Sequence, residues 1–215
     1  MYKRQGSNNT IYQSAKLLAD IGDISSGVNI KIEKNIPIGA GLGGGSSNAA
    51  STIVALNKLW GLGLNQNKML EIAKKIGADV PFFIYGNNAY GKGIGDALEF
   101  KESIRDKILL IDPKINNSSA EMFELFDNFK QNNKNTSNYP QNDFWDVFLE
   151  GNKSVREFFT IINKNHDLNL SGSGSCMFVK YNKREDIEGI LKKIPSNWRF
   201  FFCKPLQCSP LMKFV

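Results

Sequence analysis

The feature that most restricts this chain is the run Pro37-Ile-Gly-Ala-Gly-Leu-Gly-Gly-Gly-Ser-Ser47, set between two periodic segments. Ahead of it, Val28-Asn29-Ile30-Lys31-Ile32-Glu33 alternates apolar and polar residues, which predicts a strand with one buried face. Behind it, Ala49, Ala50, Ile53, Val54, Leu56, Leu59 and Trp60 recur at the spacing of a helix buried on one side. Ser46 or Ser47 can cap that helix, and Gly61 or Gly63 suits its end. A flexible linker is not normally set between a strand and a strong helix. Glycines let a backbone turn sharply and approach a ligand with no Cβ in the way. Placed before a helix, successive N–H groups and the positive helix end converge on an anion. The run therefore reads as a phosphate-binding loop, with the hydroxyls of Ser46 and Ser47 as added donors.

Two familiar phosphate loops do not fit. A P-loop requires G-x-x-x-x-G-K-[ST], and no lysine stands at that position. Gly39, Gly41 and Gly44 satisfy G-x-G-x-x-G, but a dinucleotide fold returns to a strand after the helix. Here a second helix follows instead, running from an Asn65 cap through Met69, Leu70, Ile72, Ala73 and Ile76 to Gly77.

Elsewhere, Ser14–Ala19 predicts a short helix. Phe82-Phe83-Ile84-Tyr85, Gly86-Asn87-Asn88 and Ala89-Tyr90 predict extended chain folding back on itself. Lys107-Ile-Leu-Leu-Ile-Asp112 predicts a buried strand, and the polar stretch Asn128–Asp143 a loop. Cys176–Tyr181, Arg184–Lys193 and Trp198–Cys203 give a strand–helix–strand order, an α/β layer with its own small core.

Composition narrows the function classes. A hydrophobic content of 41% and a charged content of 22% over 215 residues are those of a soluble globular protein. With no bilayer-length apolar run and no signal-like N-terminus, the expectation is cytoplasmic. Cys176, Cys203 and Cys208 are too few and wrongly spaced for a disulfide framework or a zinc site, and read as buried or idle thiols. His166 is the single histidine and lies in a polar turn, which excludes multi-histidine metal sites. The net charge of +6 comes without a tight Lys/Arg stripe interleaved with aromatics, so nucleic acid is not the expected partner.

Asp79, in Gly77-Ala-Asp-Val-Pro81, has two readings. Pro81 biases Val80 away from helix, so the carboxylate stands where the chain leaves one. It can serve as a base toward an alcohol, or simply bond its own turn, and spacing alone favours the turn. The loop Leu170-Ser-Gly-Ser-Gly-Ser-Cys176 is equally open between a plain turn and a ligand loop. Phe123 is a stacking platform or helix core.

Taken together, KNIPIGAGLGGGSSNAA, GADVPFF, LSGSGSCMFV and a C-terminal SPL resemble the GHMP kinases, in the family's own order and from about Asn9 to the C-terminus. The resemblance implies an α/β (α+β) two-domain fold. A ribosomal-protein-S5-like ATP-binding domain would cover residues 1–112, and a ferredoxin-like domain residues 113–215. It implies ATP and Mg²⁺, and a small-molecule acceptor. GADVPFF and ALNKLWGLGL point to the branch that phosphorylates the 2-hydroxyl of a cytidine-diphosphate-linked methylerythritol in non-mevalonate isoprenoid biosynthesis. The rivals are a homoserine- or mevalonate-type kinase and a non-catalytic nucleotide-binding fragment.

Carried over residue by residue, the resemblance makes Asp79 the catalytic base. Pro37, Ile38, Gly39, Ala40, Gly41, Leu42, Gly43, Gly44, Gly45, Ser46 and Ser47 become the ATP loop, with Asn9 and Lys34 near the adenosine. Ser171, Gly172, Ser173 and Gly174 become the loop that shapes the substrate pocket against the glycines, and Ser119 and Phe123 substrate contacts, the ring stacking on cytosine. The family also has a first motif carrying a lysine that works with the aspartate. Tyr2, Lys3 and Arg4 do not reproduce it. The expectation is therefore of an N-terminal domain lacking its first segment, in a chain that is inactive or poorly folded by itself.

Overall fold

The computed structural model describes residues 6–95, 97–132, 139 and 141–215. They form two compact units, and the division is not a single cut after Asp112. One unit combines the described residues up to Glu33 with Gly43–Ser103 and Leu206–Val215. The other combines Lys34–Leu42 with Ile104–Pro205. The strand Lys107–Asp112 joins the second unit because it is a central strand of that unit's sheet.

The first unit is built on helices α1 (Thr10–Gly22), α2 (Gly44–Leu59), α3 (Gln66–Lys74) and α4 (Val80–Tyr85). α1 is longer than the expected Ser14–Ala19 because Asn9 caps it, its side chain accepting from the Ile11 N–H at 3.0 Å. Ala49 and Ala50 let α2 sit close in the core, where Leu18, Ile53, Val54, Met69, Ile72 and Ile84 are also buried. Of the predicted apolar face of α2, Leu59 departs, being 66% exposed, while Trp60 is partly buried against the core. Asn65 caps α3 as predicted, accepting from Lys68 N at 3.0 Å. A hairpin, β1 (Ala89–Lys92) with β2 (Ala97–Phe100), follows. The C-terminal segment returns to this unit: Ser209 N donates to Gly86 O at 2.7 Å, and Ser209 Oγ caps a 3₁₀ turn over Pro210–Lys213.

Three local expectations are corrected. Val28–Glu33 forms no strand, and Ile30 and Ile32 are exposed. Alternation marks a segment able to pair, but a strand exists only by hydrogen bonding to a neighbour, and among the described residues this segment has no ladder partner. Phe82–Tyr85 is helical, not extended, because Pro81 falls in the first turn, where its missing N–H is no loss and its fixed φ suits a helix. Val80 is accordingly helical as well. Asn128–Asn132 complete α5 (Ser119–Asn132) instead of opening a loop. Residues 133–138 and 140 of that predicted loop, like Tyr2, Lys3 and Arg4, lie outside the described residues.

The second unit is a four-stranded antiparallel sheet of β3 (Lys107–Asp112), β4 (Asn169–Leu170), β5 (Met177–Tyr181) and β6 (Arg199–Cys203), in the order β4-β5-β3-β6. Counted within the unit and read from the β6 edge this is 4-1-3-2, the βαββαβ arrangement of a ferredoxin-like domain. Leu109 opposes Val179 and Ile111 opposes Met177, so these four side chains line one face. That face is covered by α5, α6 (Trp145–Gly151), α7 (Lys153–Ile162) and α8 (Glu188–Leu191), which contribute Trp145, Phe148, Phe158, Ile162 and Ile190 to the core. At the end of β3, Asp112 is 1% exposed and fully partnered. Arg199, opposite it on β6, donates from Nε at 2.9 Å and Nη2 at 2.6 Å, and Lys114 N donates at 2.8 Å.

Each unit thus has its own core, and truncation in either should be costly. Ile53→Ala and Ile111→Ala, both with fully buried side chains, are each expected to lower unfolding free energy by about 2–5 kcal/mol in denaturant titrations.

Candidate active site

In the second unit, the first half of the glycine run is threaded against the loop Ser171–Ser175. Gly39 O accepts from Asn117 N at 2.8 Å, and Ala40 O accepts from Cys176 N at 3.2 Å. Gly41 O accepts from Ser171 Oγ at 2.9 Å. Gly41 has φ +70°, and a Cβ there would stand 1.9 Å from the Ser171 carbonyl oxygen. Only glycine permits both the conformation and the approach. The small-residue loop is thus no isolated turn.

Its own shape is held from several sides. Gly172 and Gly174 adopt φ +53° and +81°. Ser173 Oγ lies 3.0 Å from Ser119 Oγ, and Asn117 Nδ2 donates to Ser173 O at 3.4 Å. Ser175 Oγ donates to Ile115 O. Ser119 opens α5, and Phe123 lies one turn along it, 56% exposed and edge-on to Phe144 at 4.9 Å. The ring is therefore not core. Asn117 was not singled out from sequence, since one asparagine after a strand carries no motif.

In the first unit, the second half of the run starts α2. Gly43 is its N-cap, in the left-handed region at φ +64° and with no side-chain capping bond. Ser46 and Ser47, expected as caps, lie inside the first turn instead, because glycine alone takes the cap's positive φ without strain. No acidic residue stands in that turn. Thr10 Oγ1, beside the Asn9 cap of α1, donates to Gly45 O at 3.2 Å and ties the two helix starts together. A Cβ on Gly43 would meet the Phe83 ring at 2.8 Å. A helix start with no side-chain cap and no acid in its first turn is suited to an anion.

Asp79 is exposed at the N-cap position of α4, which packs against α2 and α3. It therefore enters a helix as well as following one. Its side chain makes no capping hydrogen bond, so the local turn-bonding role is not the one the carboxylate fills. Lys34, Ile38 and Gly45 are exposed, and Pro37, Leu42 and Gly44 partly buried. Among the described residues no group of three or more His, Cys, Asp and Glu is placed to hold a metal ion. His166 lies partly buried beyond the end of α7.

The cysteines differ sharply. Cys176 follows the small-residue loop and is fully buried. Burial, aided by the Asp112 charge and opposed by Arg199, pushes its thiol up to about 12. Burial also raises Cys203, while Cys208 is exposed.

With this geometry in hand, comparison with known proteins assigns the class. Residues 9–87 match the GHMP kinases N terminal domain. A 4-diphosphocytidyl-2-C-methyl-D-erythritol kinase of Acinetobacter baumannii is 35% identical over 218 residues, covering 98% of this chain and 78% of its own. Another, from Methylococcus capsulatus, is 32% identical over 209 residues, covering 94% and 72%. The crystal structure of a 4-(cytidine 5'-diphospho)-2C-methyl-D-erythritol kinase shares the fold. Its TM-score is 0.73 at 23% identity, over 95% of this chain and 80% of that one. The chain belongs to the GHMP kinases, ATP-dependent small-molecule kinases, and within them to the 4-diphosphocytidyl-2-C-methyl-D-erythritol kinase family.

Three outcomes follow from the geometry. Gly41→Ala is expected to lower stability by about 2 kcal/mol or more, from the left-handed strain and the carbonyl contact together. Gly45→Ala, whose Cβ meets only Thr10 Oγ1 at 4.0 Å, should leave the melting temperature within a few degrees of the parent's. With a disulfide thiol reagent near pH 8, Cys208 should react first, and Cys176 only after denaturant unfolds the chain.

Proposed function

We propose that this chain transfers the γ-phosphate of ATP to the 2-hydroxyl of 4-diphosphocytidyl-2-C-methyl-D-erythritol, a step toward isoprenoid precursors, in the cytoplasm. The observation that carries the proposal is the start of α2: a glycine-capped helix end with no side-chain cap and no acid in its first turn. It is supported by 32–35% identity to kinases of that name along nearly the whole chain.

In this reading Pro37–Ser47 receive the phosphates. Backbone N–H groups and the helix end offset charge on the transferring group, with Ser46 and Ser47 as hydroxyl donors. Asn9 and Lys34 stand toward the adenosine. Ser171, Gly172, Ser173 and Gly174 shape the acceptor pocket, Ser119 contacts the acceptor, and Phe123 offers its exposed ring to cytosine. Asp79 takes the proton of the acceptor hydroxyl as that oxygen bonds to the γ-phosphorus and ADP departs. Mg²⁺ would neutralise phosphate charge, and it fits only as the companion of ATP, because the described residues build no cage of their own for it. No helix among the described residues is long and apolar enough to cross a membrane.

The test is Asp79→Asn in protein expressed from its complete reading frame. Transfer should fall by a factor of about 10² or more, with ATP affinity by calorimetry within about twofold of the parent, since an uncharged amide removes the base and little else. Turnover that survives the substitution would show that another group takes the proton.

A further inference from the structure

The small-residue loop is held by a residue that none of its motifs contains. Asn142 precedes α6, and its Nδ2 donates to Leu170 O at 3.1 Å and to Gly172 O at 2.9 Å. Its Oδ1 accepts from Phe144 N at 2.9 Å. Its backbone is fixed too, N donating to Tyr139 O and O accepting from Trp145 N, both at 3.1 Å. Both amide hydrogens and the amide oxygen are thus in use.

The attachment is rigid on one side and soft on the other. Just after Asn142, Trp145 and Phe148 are 2% and 1% exposed in the core of the second unit. The loop it grips contains Gly172 and Gly174, both at positive φ, and glycines supply no stiffness of their own. The two gripped carbonyls flank Ser171, whose hydroxyl bonds Gly41 O. Aspartate at this position would keep the acceptor for Phe144 N but set a carboxylate against two carbonyl oxygens.

We propose that Asn142 is a positioning residue for the acceptor. By bridging the Leu170 and Gly172 carbonyls to α6, it fixes the height and tilt of Ser171–Gly174, and through that loop the seat of the acceptor. This rests on the acceptor-pocket reading of the loop given above. The clamp itself does not, and the experiment separates the two.

Asn142→Ala and Asn142→Asp are compared with the parent by amide hydrogen exchange without ligand. The reporters are Ser171, Gly174 and Cys176, whose N–H groups bond Cys176 O, Ser171 O and Ala40 O. Exchange at these three should quicken about tenfold or more in both variants, with α7 unchanged. In protein from the complete reading frame, acceptor KM should rise about tenfold while ATP KM stays within twofold. For Asn142→Asp the loss should shrink as pH falls, because the neutral acid regains one donor, whereas Asn142→Ala stays flat. Unchanged exchange at the three amides overturns the clamp. Acceptor and ATP KM rising together, with a lowered melting temperature and no pH recovery, reduces Asn142 to a structural role. A parent protein with no transfer to this acceptor overturns the acceptor assignment, and exchange alone then decides the clamp.

Discussion

The contact on which the second unit's loop assembly depends is the approach of Gly41 to the Ser171 carbonyl, close enough to leave no room for a side chain. Because the two backbones meet there, Ala40 and Gly41 can hand their carbonyls to the Cys176 N–H and the Ser171 hydroxyl. Two stretches about 130 residues apart are thereby fixed as one backbone assembly. Such an assembly presents backbone dipoles instead of charges. The serines around it (Ser119, Ser171, Ser173, Ser175) point most of their hydroxyls at each other or at carbonyls. Their first effect is to hold the loop's shape.

The remainder of the glycine run does different work. From Gly43 onward the chain is the start of α2, where Ala49 and Ala50 allow close helix packing and Thr10 bonds Gly45 O. A helix end so anchored is a fixed electrostatic element. That α4 begins at Asp79 and packs against the same helix puts the one carboxylate singled out from sequence on a rigid support.

How much of this was legible depended on how local each signal was. Lys107–Asp112 and the Asn65 cap were readable because an apolar run and a capping side chain carry their cause within a few residues. The helix behind the glycine run was readable because its apolar residues recur at helical spacing. Val28–Glu33 misled, since alternation states a capacity to pair and says nothing about a partner. Phe82–Tyr85 misled because its aromatic, strand-like composition outweighed a proline that suits a helix's first turn. Asn117 and Asn142 were invisible, because a lone asparagine becomes meaningful only when the fold brings distant carbonyls to it. Phe123 lay between these cases: sequence could not separate platform from core, and its exposure removes only the core reading.

The central claim is the identity of the phosphate acceptor. Protein from the complete reading frame should be incubated with γ-labelled ATP and, in parallel, with 4-diphosphocytidyl-2-C-methyl-D-erythritol, homoserine or mevalonate. The account predicts label transfer to the cytidine-linked acceptor with a kcat/KM at least about 10³ above either alternative. Transfer to homoserine or mevalonate at equal or greater efficiency would contradict it.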